Sequence, residues 1–278
     1  MKKTLLMGGI TLALLPYTLQ AQTATSQTSV DNILTTSAAH ESSATHSITP
    51  QEECSQQALN QLLDSTWHYK ANYDGIHADA VRRIEATDDQ TIHATTESSW
   101  LFIRLTEESQ FQWPSWQLME YRYARQGLSN KKDYTITPSN HANEFISDSP
   151  TRGQRKLTTT EPVYDQLSHQ IRLQIDVACN ANQNTFEYAI AKRRGVKHYQ
   201  YERLGNEEIK VNGKTYSTVK LEKKNNGEEK TQIWLAPELA YGIVKLAYIE
   251  DGDANYMELS EIKLPQSNVE NTHLDGIN

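Results

Sequence analysis

Glu207-Glu208-Ile209-Lys210-Val211-Asn212-Gly213-Lys214-Thr215-Tyr216-Ser217-Thr218-Val219-Lys220-Leu221-Glu222 is two strands and a turn. Asn-Gly between two alternating runs is the strongest short hairpin signal, because both residues tolerate the positive φ of a type I′ turn. Upstream, Phe186 to Lys192 and Val196 to Arg203 read as strands. Downstream come Thr231 to Ala236 after Asn226-Gly227, Ile243 to Glu250, and Tyr256 to Leu264 after Asp251-Gly252. Consecutive strands joined by short turns pair antiparallel. The same pattern fills the first half. Trp67, Tyr69, Ala71 and Tyr73 alternate with His68, Lys70, Asn72 and Asp74, and further runs are Thr91 to Leu105, Ser109 to Trp113 and Trp116 to Arg125. Residues 139–159 read as a polar loop.

Two segments break the period of two. Thr49-Pro50-Gln51-Glu52 supplies an N-cap, a Pro in the first turn and a capping-box Glu, and Ala58, Leu59, Leu62 and Leu63 follow at helical spacing. Within 163–178, Val163, Leu167, Ile171 and Ile175 recur every four residues, whereas Ile171, Leu173, Ile175 and Val177 alternate. Helix is the choice: Asp165 can cap it, and a meander needs something apolar laid across its buried face. The fold expected is mostly β (α+β), an antiparallel meander or half-barrel covered by one or two helices.

The chain opens Met1-Lys2-Lys3, followed by an apolar run from Leu5 to Leu15, Pro16, and a polar stretch to Ala21. That is the plan of a signal peptide, residues 1–21, and the run is shorter than the roughly 20 residues a membrane span needs, so no transmembrane anchor is expected to remain. The protein is therefore expected to be periplasmic or secreted. Residues 22–49 are nearly half Ser and Thr and read as a disordered spacer in which His40 and His46 are solvated; 265–278 read as a disordered tail. One domain, 50–264, lies between them. In the oxidising compartment that export implies, the only two cysteines, Cys54 and Cys179, are expected to form a disulfide.

Formal net charge is −8, which argues against a phosphate-backbone binder, so nucleic acid is not an expected partner. No nucleophile elbow, zinc-protease helix, phosphate loop or dinucleotide fingerprint occurs, so no catalytic residue, metal ligand or cofactor is assigned, and an enzyme is not expected. Glu107-Glu108 and Glu207-Glu208 are adjacent on strands and so point to opposite faces. His68, His93 and His198 are scattered, and Lys192-Arg193-Arg194 reads as a solvated turn. The chain has 14 Tyr and 5 Trp against 4 Phe, a bias that suits a surface for an amphipathic ligand. Trp100, Phe102, Met119, Tyr121, Tyr123, Trp234 and Tyr248 are the candidate lining, with ordinary core as the alternative.

Tyr69-Lys70-Ala71-Asn72-Tyr73-Asp74-Gly75-Ile76, Glu107-Glu108-Ser109-Gln110-Phe111, Tyr121-Arg122-Tyr123, Asp165-Gln166-Leu167-Ser168 and Ile233-Trp234-Leu235-Ala236-Pro237 before Val244-Lys245-Leu246 resemble the bacterial family called domain of unknown function 3108. This chain departs from the usual family pattern at Ile243, where a Pro is expected. The resemblance implies an exported envelope protein and carries no catalytic residues. In outline the meander is also similar to the half-barrel of outer-membrane lipoprotein carriers. The function expected is a binding or assembly module of the cell envelope, holding a lipid, lipopeptide or protein segment on a curved sheet. The alternatives are a hydrolase of envelope glycan or peptide, and a structural protein that pairs with an envelope partner through a sheet edge.

Overall fold

The computed structural model describes residues 49–264 apart from 74, 89, 225–228 and 251–252. The expected leader, the tail, and the spacer up to residue 48 lie outside the described residues. Thr49 caps helix α1 (Pro50–Leu62): its side chain accepts from the Glu52 amide while the Glu52 carboxylate accepts from the Thr49 amide. Strands follow as β1 (Ser65–Tyr73), β2 (Ile76–Ala86), β3 (Thr91–Trp100), β4 (Ile103–Gln112), β5 (Leu118–Gln126), β6 (Tyr134–Pro138), β7 (Glu144–Ser149), β8 (Gly153–Thr158) and β9 (Val163–Tyr164). Helix α2 (Ser168–Cys179) interrupts them before β10 (Thr185–Lys192), β11 (Gly195–Val211), β12 (Lys214–Lys223), β13 (Lys230–Ala236), β14 (Gly242–Glu250) and β15 (Asp253–Lys263).

These strands form one sheet in the order β8-β7-β6-β5-β4-β3-β2-β1-β15-β14-β13-β12-β11-β10-β9, antiparallel throughout except for β9 on β10. Pairing of β1 with β15 joins two meanders into one surface. The expected hairpin is present, with Asn212 at φ 48° and Gly213 at φ 83°. The ambiguous segment is helix from Ser168, and its first residues, Val163–Tyr164, are strand. Asp165 Oδ1 accepts from the Leu167 and Ser168 amides at 2.7 and 3.0 Å, which turns the chain out of β9 into α2.

Several strands depart from the sequence reading. The run from Thr91 to Leu105 is a hairpin, not one strand, because Leu101 adopts φ 50° and the chain reverses through Leu101-Phe102. Residues 139–159 are not a loop: they contain β7 and β8. Five of the six β8 residues are exposed, so this edge strand shows no apolar alternation to read. Conversely, Val196 to Arg203 and Glu207 to Val211 belong to one strand bent at Gly205, where the register with β12 shifts.

α2 is the centre of the core. Eight of its residues, including Ile171, Leu173, Ile175 and Val177, are buried. The helix and the turn before it are bonded to strands from both meanders: Arg82 of β2 donates to Gln170 at 2.7 Å, Ser109 of β4 to Asp165 in that turn at 2.6 Å, and Tyr188 of β10 to Asp176 at 2.8 Å. β4 and β10 are nine places apart in the sheet, about 43 Å if it were flat, whereas a helix is about 10–12 Å across. The sheet is therefore curled around α2. Its two ends approach without a backbone ladder; Ser147 Oγ of β7 donates to the Arg193 carbonyl at 3.2 Å, and Arg193 Nη1 donates to the Lys131 carbonyl at 2.7 Å. α1 closes one end of the interior with Leu59 and Leu62 buried beneath it.

A disulfide joins Cys54 of α1 to Cys179 of α2 across a sequence separation of 125 residues. Closing a loop of that size in the unfolded chain is worth about 4 to 5 kcal/mol in the chain-entropy model. Urea unfolding of the oxidised protein with and without reductant should reveal a loss of that order. Two free thiols per chain after denaturation without reductant would refute the bridge.

Candidate functional site

Antiparallel register fixes which side chains share a row inside the curled sheet. Arg82, Thr96, Glu107, Tyr123 and Tyr134 face one another in turn across β2 to β6. The next row is Ile84, Ala94, Ser109, Tyr121 and Ile136, and the one beyond contains Ile92, Phe111 and Leu118. Towards α1 the interior is thus apolar, with Phe111 and Trp116 stacked at 5.1 Å. Away from α1 it is polar. On the opposite wall Phe186, Tyr201, Lys223, Thr231 and Tyr248 form a row over β10 to β14, with Tyr188 paired to Tyr199 and Lys192 at the strand end.

Glu107 is the most displaced carboxylate of this polar end. It is 5% exposed and accepts from the Tyr121 hydroxyl. Burial pushes it up to about 7, assisted by Asp165 and opposed by the Tyr121 bond, Arg82 and Lys192. Tyr134 packs 5.7 Å from Tyr121 and 5.9 Å from Tyr123, and burial holds its hydroxyl protonated. Two cations stand opposite. The Lys192 and Lys223 ammonium groups lie 4.8 and 4.2 Å from the centre of the Tyr199 ring. Burial, then the neighbouring Lys223, lowers Lys192 to about 7 against Glu107; burial lowers Lys223 to about 8 against Glu229. His169 completes the lining from α2. Its Nδ1 is 2.9 Å from the Asp165 carbonyl and its Nε2 3.0 Å from the Tyr201 hydroxyl. Burial lowers it to about 3, with both lysines and Arg82 adding to the effect, so at neutral pH it is an uncharged ring donating from one nitrogen and accepting at the other.

Asp165 is raised by burial too, but its role is closed. Four donors fill its two oxygens: Ser109 Oγ, Ser168 Oγ and the amides of Leu167 and Ser168. Asp165 thus ties the start of α2 to β4 through Ser109, while Glu107 ties β4 to β5 through Tyr121. Lys192, Tyr199 and Tyr134 are only half-buried, so solvent reaches this polar end at the seam where the sheet ends meet.

The candidate lining residues do not come together as one surface. Tyr121 and Tyr123 lie on one interior wall and Tyr248 on the other. Trp234 is on the outer face, its indole covered by the ammonium groups of Lys220 at 4.8 Å and Lys245 at 5.8 Å and donating to Glu207. Ile233, Trp234, Leu235 and Ala236 are all buried, so alternation in β13 gives no hint of facing. Met119 is turned outward by a bulge, since Gln110 pairs with Glu120 but Phe111 with Leu118. Trp100 ends β3 half-buried, and Phe102 stands exposed on the turn. His68, His93 and His198 sit on β1, β3 and β11 and do not converge; His198 bonds Glu161 at 2.8 Å. Among the described residues no cluster of three His, Cys, Asp or Glu could hold a metal ion.

Sequence reasoning passed over Arg82, Glu107, His169, Lys192 and Lys223. A parity test finds the strand residues: Leu105, Glu107, Ser109 and Phe111 share one face, as do Phe186, Tyr188, Ile190 and Lys192.

A curled antiparallel sheet around an enclosed helix, with ionisable groups gathered at one end of the interior, defines a barrel-like β-domain. The chain belongs to the protein family of unknown function DUF3108, whose model matches residues 68–259. No curated protein matches the sequence. Among solved structures it is similar to a beta-barrel-like protein of the domain of unknown function DUF1849 from Brucella abortus, at TM-score 0.51 and 8% identity over 74% of this chain and 99% of that one. A domain from Vibrio parahaemolyticus described as outer-membrane lipoprotein-sorting aligns over 79% of this chain and 94% of its own at 9% identity, with a TM-score of 0.23 that supports no further argument. The first likeness is one of fold.

Glu107 makes stability depend on pH with a definite sign. The carboxyl titrates near 4.5 when unfolded and near 7 when folded, so between those values the folded state keeps a proton the unfolded state has lost. Stability from this group falls as pH rises through that window and stays reduced above it. Glu107→Gln removes the dependence and can still accept from Tyr121. Its stability relative to the parent should improve by on the order of 3 kcal/mol from about pH 4.5 to above pH 7. Urea unfolding across that range checks this, and a constant difference between the two proteins would show that Glu107 is not displaced.

Proposed function

We propose that the protein is an exported, non-enzymatic binding module of the cell envelope, which takes the anionic group of an amphipathic ligand between Lys192 and Lys223 at the seam of the sheet. One observation carries this reading: two ammonium groups from the strands flanking β11 lie 4.8 and 4.2 Å from the centre of the Tyr199 ring, on an interior wall where Lys192 and Tyr199 are only half-buried. Holding two like charges there is unfavourable, and a phosphate or carboxylate placed between them relieves the repulsion. Tyr121, Tyr123 and Tyr134 across the interior supply rings with polar tips, suited to the junction of a head group and a chain. The disulfide and the N-terminal pattern of residues 1–21 support export.

The other readings draw less support. A hydrolase needs an accessible acid and base, whereas Asp165 has both oxygens filled and Glu107 is buried with Oε1 bonded to Tyr121. A partner strand would have to add to β8, whose exposed Arg155 and Lys156 are the charged side chains that discourage edge pairing, or to β9, which has two residues.

Single-chain phosphate and carboxylate amphiphiles, added as monomers, should raise the melting temperature, with about 2.7 kcal/mol of stabilisation at a hundredfold excess over Kd. A matched neutral amphiphile should do much less. Affinity should fall as pH rises past about 8, where both lysines have lost their protons. Lys192→Met with Lys223→Met should abolish the preference for anions. Equal affinity for charged and neutral amphiphiles would sink the proposal.

A further inference from the structure

In an antiparallel sheet alternate turns lie at the same end. The β3–β4 turn, the β5–β6 connection, the β7–β8 turn and the β10–β11 turn therefore share one end of this molecule, the end away from α1. Two unusual features meet there. The β3–β4 turn is Leu101-Phe102, and these side chains are 90% and 76% exposed. Neither side chain belongs to the hydrophobic core. The tip is also held in place. Gly127 of the β5–β6 connection has φ +76°, and a Cβ there would stand 2.4 Å from the Phe102 carbonyl oxygen, so the glycine lets the turn backbone lie directly against it.

The second feature follows along the same rim. Lys131 and Lys132 leave that connection, Arg152 lies on the β7–β8 turn, and Arg193 and Arg194 form the β10–β11 turn. Arg193 Nη1 donates to the Lys131 carbonyl at 2.7 Å, which ties the two ends of this arc together. Burial, and after it the neighbouring Arg194 and Arg152, depress Arg193, so like charge is crowded here. Acidic groups near the arc are engaged: Asp133 pairs with Arg125 at 3.0 Å, and Asp148 accepts from Gln154 at 3.0 Å. In a chain of net charge −8, five cations concentrated on three turns beside an apolar tip are not an average surface.

We propose that this end of the molecule docks on an anionic phospholipid bilayer, with Leu101 and Phe102 entering the head-group region and the basic arc resting on lipid phosphates. Apolar residues at an interface beside Lys and Arg are the combination that binds anionic membranes, the first by burial and the second by attraction to the surface charge. The reading is independent of the interior site, because none of these side chains lines it.

Vesicle co-sedimentation of the purified exported protein tests the docking. It should bind vesicles of phosphatidylglycerol mixed with phosphatidylcholine, bind those of phosphatidylcholine alone far less, and release as salt rises. Leu101→Ser with Phe102→Ser should weaken binding at least about tenfold, as should Arg152→Glu with Arg194→Glu, with melting temperatures unchanged. Phe102→Trp should shift its emission to the blue on mixed vesicles and be quenched by brominated lipid chains. No binding at low salt, equal binding to neutral vesicles, or unchanged binding by the tip variant would each overturn the proposal. A tip variant that leaves the vesicles but still binds monomeric anionic amphiphiles separates this surface from the interior site.

Discussion

Enclosing α2 is the constraint on which the rest depends. The helix brings His169, Gln170 and Gln174 into the interior along with its apolar residues, and a buried polar group left without a partner costs about 1–3 kcal/mol. Partners are supplied by the strands: Arg82 for Gln170 and Tyr201 for His169, with Ser109 fixing Asp165 at the helix start. Because these donors and acceptors sit on β2, β4 and β11, satisfying the helix and curling the sheet are one event. Apolar burial drives the collapse, but it is non-directional and would accept the helix at several rotations. The polar contacts select one.

Along the strands the interior changes character, and the two halves have opposite energetic roles. Near α1, Phe111, Trp116, Leu118 and the residues beneath Leu59 and Leu62 form an apolar block secured by the disulfide. At the far end Glu107, Lys192, Lys223 and His169 are all displaced from their ordinary titration by burial, and each displacement is a destabilisation of the charged form. Core packing alone would favour apolar residues in such places. Their concentration where Lys192, Tyr199 and Tyr134 are only half-buried is the pattern expected of a functional site, and the apolar half offsets their cost.

How much of this was legible follows from how much rests on local pattern. The β class, the Asn212-Gly213 hairpin, the capped first helix and the helical choice for α2 came from periodicity and turn chemistry, which act over a few residues. β2 went unread because its inward row of Ala78, Ala80, Arg82 and Ile84 is small and partly charged. β8 went unread because it is an exposed edge strand, and β7 because its residues Glu144-Phe145-Ile146-Ser147-Asp148-Ser149 show no apolar alternation. The site was the least legible part. Aromatic alternation put Tyr121 and Tyr123 on one face, which is the buried interior face, but the ionisable groups that give the interior its chemistry looked like surface charge until the curl of the sheet placed them inside. Trp234 shows the converse error: its size suggested an interior lining, whereas Lys220 and Lys245 bury it on the outside.

Charge distribution links the interior site to the rim. The whole chain is acidic, at −8, while the basic arc occupies a single end. At physiological salt the attraction of an anionic surface for this arc would act within about 8 Å, so it would select orientation at contact rather than at a distance. In that orientation Leu101 and Phe102 meet the surface first. Arg193, which lies on the arc, is also the residue that bridges the seam between β7 and the β10–β11 turn, so docking by the arc would bring the seam to the same surface. Lys192 is its neighbour in sequence but points inward, so one reversal of the chain carries a cation for the surface and a cation for the interior. Alternation at the end of a strand is enough to divide them.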